Sequence, residues 1–387
     1  MSLAGIIAEF NPLHNGHKYL IDAAKNDGFD VACVISGNFV QRGDTALLPK
    51  FERAKSALYA GVDIVLELPV PWSMSTAQNF ALGGISQLSS IGVDTLYFGS
   101  ECADTTELVN IAEILLSESF NQILSSRLKG NETFAKLRRD TVCEILGKET
   151  SVLDNPNDTL AVEYICTSIK LGAGFKFKAI KRQGASHNDS TESRGFSTST
   201  LLRKAAQDNN INYLRQFMPE ESFKILINSP ISSISRLDTA IVSRIKQLRE
   251  EELSNLPDIS EGIERHLYKT IANVYTYSDI CDAIKSKRYT MARVRRLVLS
   301  AFLGIDNSYF QKEPPYVRVL GFNDNACKYL SGNGIKPIIT KVSQINMLNE
   351  FSKKVFETEN RINKIYALSL DNPSEFIDEC SQKIITI

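Results

Sequence analysis

Short apolar runs alternate with stretches of helical spacing over the first hundred residues, and that alternation leaves few folds open. The runs fall at 5–9, 30–36, 63–68 and 95–98, with another at 175–180. Between them, 17–25, 50–60 and 77–91 carry helical patterns; Ala54, Ala57 and Leu58 have core spacing. Repeated strand–helix units predict a doubly wound parallel sheet, with ligands held at the C-terminal ends of its strands. Residues 106–172 read as helices broken at 154–158, and 201–217 as one more helix. From about Pro219 to Leu303 the spacing predicts long amphipathic helices; short strands return at 316–321 and 336–340. The expected division is an α/β domain over 1–215, then a mainly helical region closing in a small α/β segment over 216–387.

Formal net charge is −1 over 387 residues, so no global field draws nucleic acid and any RNA site must be a local patch. The seven cysteines form no C-x-x-C pair, which predicts reduced thiols rather than a disulfide framework. With only four histidines beside them, a structural zinc site is not expected. No leader pattern opens the chain and no apolar run reaches membrane-spanning length, so the expectation is a cytoplasmic protein without a membrane partner.

Two of the four histidines lie where the first apolar run turns into a helix, in Glu9-Phe10-Asn11-Pro12-Leu13-His14-Asn15-Gly16-His17. Free backbone N–H groups and the helix dipole favour an anion there, and Gly16 allows close backbone approach. Imidazoles at such a turn can donate to phosphoryl oxygens as charge develops, which predicts a nucleotide site with chemistry at the α-phosphate. The plain alternative is two solvent-facing histidines at a helix start. A second turn, Ser197-Thr198-Ser199-Thr200-Leu201-Leu202-Arg203, also enters a helix. Such a turn is ordinarily only a cap; paired with the histidines, it reads as a holder for β- and γ-phosphates with Arg203 as a charge clamp. The segments 36–44 and 98–101 follow strands and are site candidates by the same strand-end rule. Residues 155–158 read alone as an Asx turn capping a helix.

Between 285 and 296 lie Lys285, Lys287, Arg288, Arg293, Arg295 and Arg296, with no acid among them and Tyr289 in their midst. This local excess predicts a phosphate-contacting RNA patch, against the alternative of a solvated helix face. Lys136, Arg138 and Arg139, and Lys176, Lys178 and Lys181, are candidate extensions. His187 and His266 show no partner pattern and are expected to be structural or on the surface.

The pattern Phe10-x-Pro12-x-His14-x-Gly16-His17 with Ser199-Thr200-x-x-Arg203 resembles the nucleotidyltransferase superfamily related to class I aminoacyl-tRNA synthetases. Asn11 stands where that superfamily usually has an acid. The loop 36–44, with Glu9-Phe10-Asn11-Pro12 and Phe98-Gly99-Ser100-Glu101, resembles one family more closely, the bacterial tRNA(Met) cytidine acetate ligases. The likeness extends to 157–161, Lys181-Arg182 and 287–296, and so covers most of the chain up to about residue 305.

The resemblance implies a Rossmann-like nucleotidyltransferase domain, with ATP and Mg²⁺ as cofactors and acetate and elongator tRNA(Met) as partners. Acetate would be adenylated, and the wobble cytidine would take the acetyl group to give N(4)-acetylcytidine and AMP. Residues 216–387 would bind tRNA; DNA and membranes would not be partners. ATP contacts are implied at Ile7, Ala8, Glu9, Phe10, Asn11, Pro12, Leu13, His14, Asn15, Gly16, His17, Lys18, Tyr19, Leu20, Gly99, Asn157 and Arg182. His14 and His17 are assigned to α- and β-phosphate oxygens, and Ser199, Thr200 and Arg203 to the leaving pyrophosphate. Gly99, Asn157 and Asp158 are assigned to base or ribose, Arg182 to phosphate or acetate, and Asp44 or Glu101 to Mg²⁺. Two other readings stay open: a small-molecule nucleotidyltransferase adenylating a phosphorylated cofactor precursor, and a non-catalytic RNA-binding protein with a relict nucleotide fold. The first leaves 216–387 without a task; the second does not need His14, Gly16, His17 and Arg203 together.

Overall fold

The computed structural model describes residues 2–128, 132–183, 195–260, 262–286, 289–330 and 335–387. Its strands are β1 (Leu3–Ala8), β2 (Asp30–Ser36), β3 (Phe39–Val40), β4 (Asp44–Thr45), β5 (Ile64–Leu68), β6 (Thr95–Ser100), β7 (Lys176–Lys181), β8 (Val317–Phe322), β9 (Ile338–Ile339) and β10 (Ile385–Thr386). The main sheet runs β10-β8-β5-β2-β1-β6-β7, with β9 beside β8. From β5 to β7 every pairing is parallel. The winding reverses between β1 and β6, and the C-terminal ends of those two strands frame a crevice.

β1, and β2 between Asp30 and Ser36, are apolar because helices cover both faces. Ala4, Ile6, Val31, Cys33 and Ile35 face the helices Asn15–Asn26 and Lys50–Tyr59, packing with Ile21, Ala24, Ala54 and Ala57. Leu3, Ala32 and Val34 point the other way, with Phe80, Ile85 and Leu88 of Ala77–Ser90 and Ala161 and Ile165 of Pro156–Leu171. The alternation of residue numbers between the two clusters is the strand period of two.

Three expectations need correction. The span 201–217 is two helices, Ser199–Gln207 and Ile211–Phe217, split where Asn209 takes a φ of 53° and Asn210 caps the second. Between 220 and 303 the helices are short, the 13-residue Met291–Leu303 being the longest described, because residues such as Thr276 and Thr290 keep starting new ones. The loop 36–44 contains the β3–β4 hairpin, turned at Gly43 with a φ of 71°.

The returning α/β segment adds its strands to the N-terminal sheet: β8 lies antiparallel to β5. A buried polar network ties the two together. Lys50 pairs with Glu67 at 2.6 Å and Glu379 at 2.7 Å, and Arg318 donates to Glu379 at 3.2 Å. Asn38 reaches Asn363 at 2.9 Å, and Asn363 reaches Glu379 at 3.1 Å. Removing one partner from such a set typically costs about 3–5 kcal/mol, because the other charge stays buried. The seven cysteines are unpaired, and among the described residues no helix is long and apolar enough to cross a membrane.

Candidate active site

After β1 the chain turns at Phe10, whose φ of 47° is left-handed, passes a cis Asn11–Pro12 bond, and enters the helix Asn15–Asn26 with His14 as its N-cap. The two imidazoles cap the helix reciprocally. His14 Nδ1 accepts from the Gly16 N–H at 3.0 Å, and His17 Nδ1 accepts from the His14 N–H at 3.4 Å. With both Nδ1 atoms used as acceptors, each neutral ring carries its proton on Nε2. Burial pushes His14 down to about 3, reinforced by Arg182 and Arg203. Burial also holds His17 well below the usual histidine range, with His14 and Arg182 adding to it. Both rings are therefore neutral N–H donors. They stack 3.9 Å apart, and Phe10 lies edge-on to His17 at 5.1 Å. A Cβ at Gly16 would lie 2.9 Å from His14 Cε1, so the glycine makes room for the histidine ring itself.

His14 Nε2 lies 3.1 Å from Ser199 Oγ, joining the two motifs across 185 residues. Arg203 donates to the Asn11 carbonyl at 2.9 Å and to Thr200 Oγ1 at 3.1 Å, which aims its guanidinium along the same cavity. Burial lowers the Arg203 pKa, while Glu9 and Asp44 favour its charge; a guanidinium stays cationic in proteins. On the opposite wall, Arg182 donates to Asn157 Oδ1 at 3.3 Å.

Of the expected contacts, Ile7, Ala8, Glu9, Asn11, His14, Gly16, His17, Tyr19 and Leu20 line one cavity with Gly99, Asn157, Arg182, Ser199, Thr200 and Arg203. Phe10, Pro12, Leu13, Asn15 and Lys18 are not among its lining. Phe10 and Leu13 are core, Asn15 holds the Gly195 carbonyl at 3.0 Å, and Lys18 pairs with Asp22.

Three carboxylates expected at the site are engaged elsewhere. Asp158 is buried and accepts from Ser100 Oγ, the Glu101 and Cys102 N–H groups and Asn155 Nδ2. Glu101 caps the helix Pro156–Leu171, accepting from Asn157 Nδ2 and the Asp158 N–H. Asp44 accepts from its neighbour's N–H at 2.8 Å, and burial pushes its carboxyl above the usual range. Glu9 alone brings a carboxylate to the described lining, and one of its oxygens accepts from the Gln41 N–H at 2.9 Å. Among the described residues no three His, Cys, Asp or Glu side chains gather as metal ligands. These residues do not build a protein cage for Mg²⁺.

The family model for HIGH nucleotidyl transferases matches residues 1–379. A tRNA(Met) cytidine acetate ligase of Thermoanaerobacter sp. (strain X514) is 35% identical, over 97% of each chain. The chain belongs to the tRNA(Met) cytidine acetate ligase family. The apo crystal structure of Thermotoga maritima TmcAL matches all of both chains with a TM-score of 0.94 at 28% identity. The same protein bound with alpha-thio ATP gives 0.92 at 27%, over 100% of this chain and 99% of that one.

Several lining residues escape a sequence reading, among them Phe80, Leu160 and Tyr164, whereas Gln41 belongs to the expected segment 36–44. Leu160 and Tyr164 follow Asn157 at i+3 and i+7, a helical stripe that is visible once Asn157 is placed. Arg53 has no such signal. It is buried and donates to the carbonyls of Leu48, Glu9 and Gly37, fixing two strand-end loops at once.

In this member of the ligase family the basic stretch is less open than its composition suggests. Arg293 donates to the Asp258 carbonyl and to Ser260 Oγ, and lies over the buried Tyr289 ring at 5.5 Å. Arg296 donates to the Asp258 carboxylate at 3.1 Å and to the Gln41 carbonyl at 3.4 Å. A Cβ at Gly43 would lie 2.5 Å from Arg295 Cβ and 2.7 Å from the Arg296 nitrogen, so only glycine lets the hairpin close on this helix. Lys285 is exposed. Lys287, Arg288 and His187 lie outside the described residues. Lys136, Arg138 and Arg139 pair with Glu132, Glu163 and Asp140, Lys178 pairs with Asp27, Lys181 donates to the Glu101 carbonyl, and His266 is exposed.

Proposed function

We propose that this protein uses ATP to activate acetate and transfers the acetyl group to the wobble cytidine of elongator tRNA(Met), in the cytoplasm. The observation that carries the reading is one cavity in which two neutral imidazoles, the Ser199–Thr200 turn, Arg182 and Arg203 converge. A carboxylate oxygen of acetate attacks the α-phosphorus, and the bond to the bridging oxygen breaks with its electron pair leaving on pyrophosphate. His14 and His17 donate through Nε2–H to phosphate oxygens; each such donor is typically worth about 10²–10³ in rate. Ser199, Thr200 and Arg203 hold the departing pyrophosphate. His14, His17, Arg182 and Arg203 carry the charge stabilisation that this chain provides, and Mg²⁺ brought in with the nucleotide would add to it. In the second step the cytidine N4 attacks the acetyl carbon, AMP leaves with the C–O electron pair, and the amine releases a proton.

Residues 1–215 carry this chemistry and 216–387 engage tRNA. Lys285, Lys287, Arg288 and Arg295 serve as phosphate contacts, and Arg293 and Arg296 brace the helix that presents them. The test is nucleoside analysis of elongator tRNA(Met) incubated with protein, ATP, Mg²⁺ and labelled acetate. Label in acetylcytidine that disappears without ATP is expected; absence of label despite tRNA binding removes the assignment.

A further inference from the structure

The helix Pro156–Leu171 lines the cavity along one stripe, Asn157, Leu160 and Tyr164. At 1.5 Å per residue the stripe covers roughly 10 Å. Its first residue meets Arg182, and its last lies in the electrostatic reach of Glu9. Around that last residue the wall is apolar: Ile7, Phe80, Leu160 and Tyr164 belong to the same hydrophobic cluster. Tyr164 is 3% exposed, and its hydroxyl has no hydrogen-bond partner among the described residues. Leaving a buried hydroxyl unmatched costs about 1–3 kcal/mol, so an unpartnered phenol on a residue of the cavity wall points to a ligand atom. Burial, with Glu9 adding to it, holds the phenol well above its usual range, so it faces that ligand as an O–H donor.

We propose, resting on the acetate reading above, that Tyr164 holds the carboxylic acid. Its O–H donates to the oxygen that does not attack phosphorus, while Ile7, Phe80 and Leu160 close around the methyl group and set its size. A donor beside a short apolar wall suits an acid of two carbons: the second oxygen needs a proton donor, and the methyl needs desolvation. Adenine and ribose fall to the other end of the stripe, by Gly99, Asn157 and Arg182.

The test is acid-dependent pyrophosphate release from ATP in the presence of varied elongator tRNA(Met), with acetate, propionate and butyrate offered in turn to the full-length protein. Tyr164→Phe removes one oxygen and keeps the ring; it should raise the KM for acetate roughly ten-fold while leaving ATP affinity unchanged. Leu160→Ala should raise the propionate-to-acetate ratio of kcat/KM by about ten-fold or more. An acetate KM in Tyr164→Phe equal to that of the wild type, with an unchanged size ratio in Leu160→Ala, overturns the inference alone. A rise in the KM for tRNA in place of acetate moves the phenol to the cytidine and also overturns it. Wild-type protein that releases pyrophosphate with no short acid overturns the functional reading together with the inference.

Discussion

At the start of the helix Asn15–Asn26, His14 and His17 are pinned by backbone groups two and three residues away. At the start of Met291–Leu303, Arg293 and Arg296 are pinned by Asp258, 35 and 38 residues upstream. The first arrangement is a local motif whose spacing alone dictates the contacts. The second is a tertiary arrangement in which a distant acid takes two cations out of a run that looks free. The difference separates groups built to act on a ligand from groups built to hold an element in place.

The largest expected effect tests the first half of that comparison. His17→Ala should lower acetate-dependent pyrophosphate release by about 10²–10³ while tRNA affinity stays nearly constant, because a transition-state donor is lost and the RNA surface is not. Filter binding beside the release assay decides it. Equal loss of both activities would make the turn a structural cap like any other.

A second effect follows from burial of the same turn. The folded pKa of His14 is about 3, below the unfolded value near 6.5. A depressed folded pKa means that its contribution to stability is complete above about pH 6.5 and drains away as pH falls towards about 3. By pH 5 the loss from this ring should be roughly 2 kcal/mol. Urea midpoints of wild type and His14→Gln, compared between pH 7.5 and pH 5, give the measurement. A wild-type midpoint no more pH-sensitive than the variant's would mean that His14 titrates normally and that the rings are not held as neutral donors.

These contrasts also explain what the sequence made legible. β2 appears where the apolar run placed it, and strand–helix alternation marked the parallel sheet, while the reversal of winding between β1 and β6 is seen only in the fold. His14, Ser199 and Arg203 were legible because residue type and spacing at a helix start limit what they can touch. Asp158 and Glu101 were misread because their partners include backbone N–H groups brought near by the fold across 56 or 57 residues. Tyr164 was invisible for a related reason: a tyrosine in an apolar stripe reads as core, and only the fold shows that it lines the cavity with its hydroxyl unpartnered among the described residues. The antiparallel join of β8 to β5 depends on packing more than 240 residues apart, beyond any local periodicity.

The basic helix offers the smallest effect and the cleanest separation. Arg295→Gln should weaken tRNA binding a few-fold and lower the slope of log K against log salt by about 0.9, the signature of one phosphate contact. Its folding stability should hardly move. Arg293→Gln should do the reverse: it leaves the Asp258 carbonyl and Ser260 Oγ without the guanidinium and should cost about 1–2 kcal/mol of stability with the salt slope intact. Measuring both variants by salt titration and by urea unfolding crosses the two roles. If Arg293→Gln flattens the slope as much as Arg295→Gln, the Asp258 bridge gives way when RNA arrives, and the helix start belongs with the histidine turn as a surface that acts on its ligand.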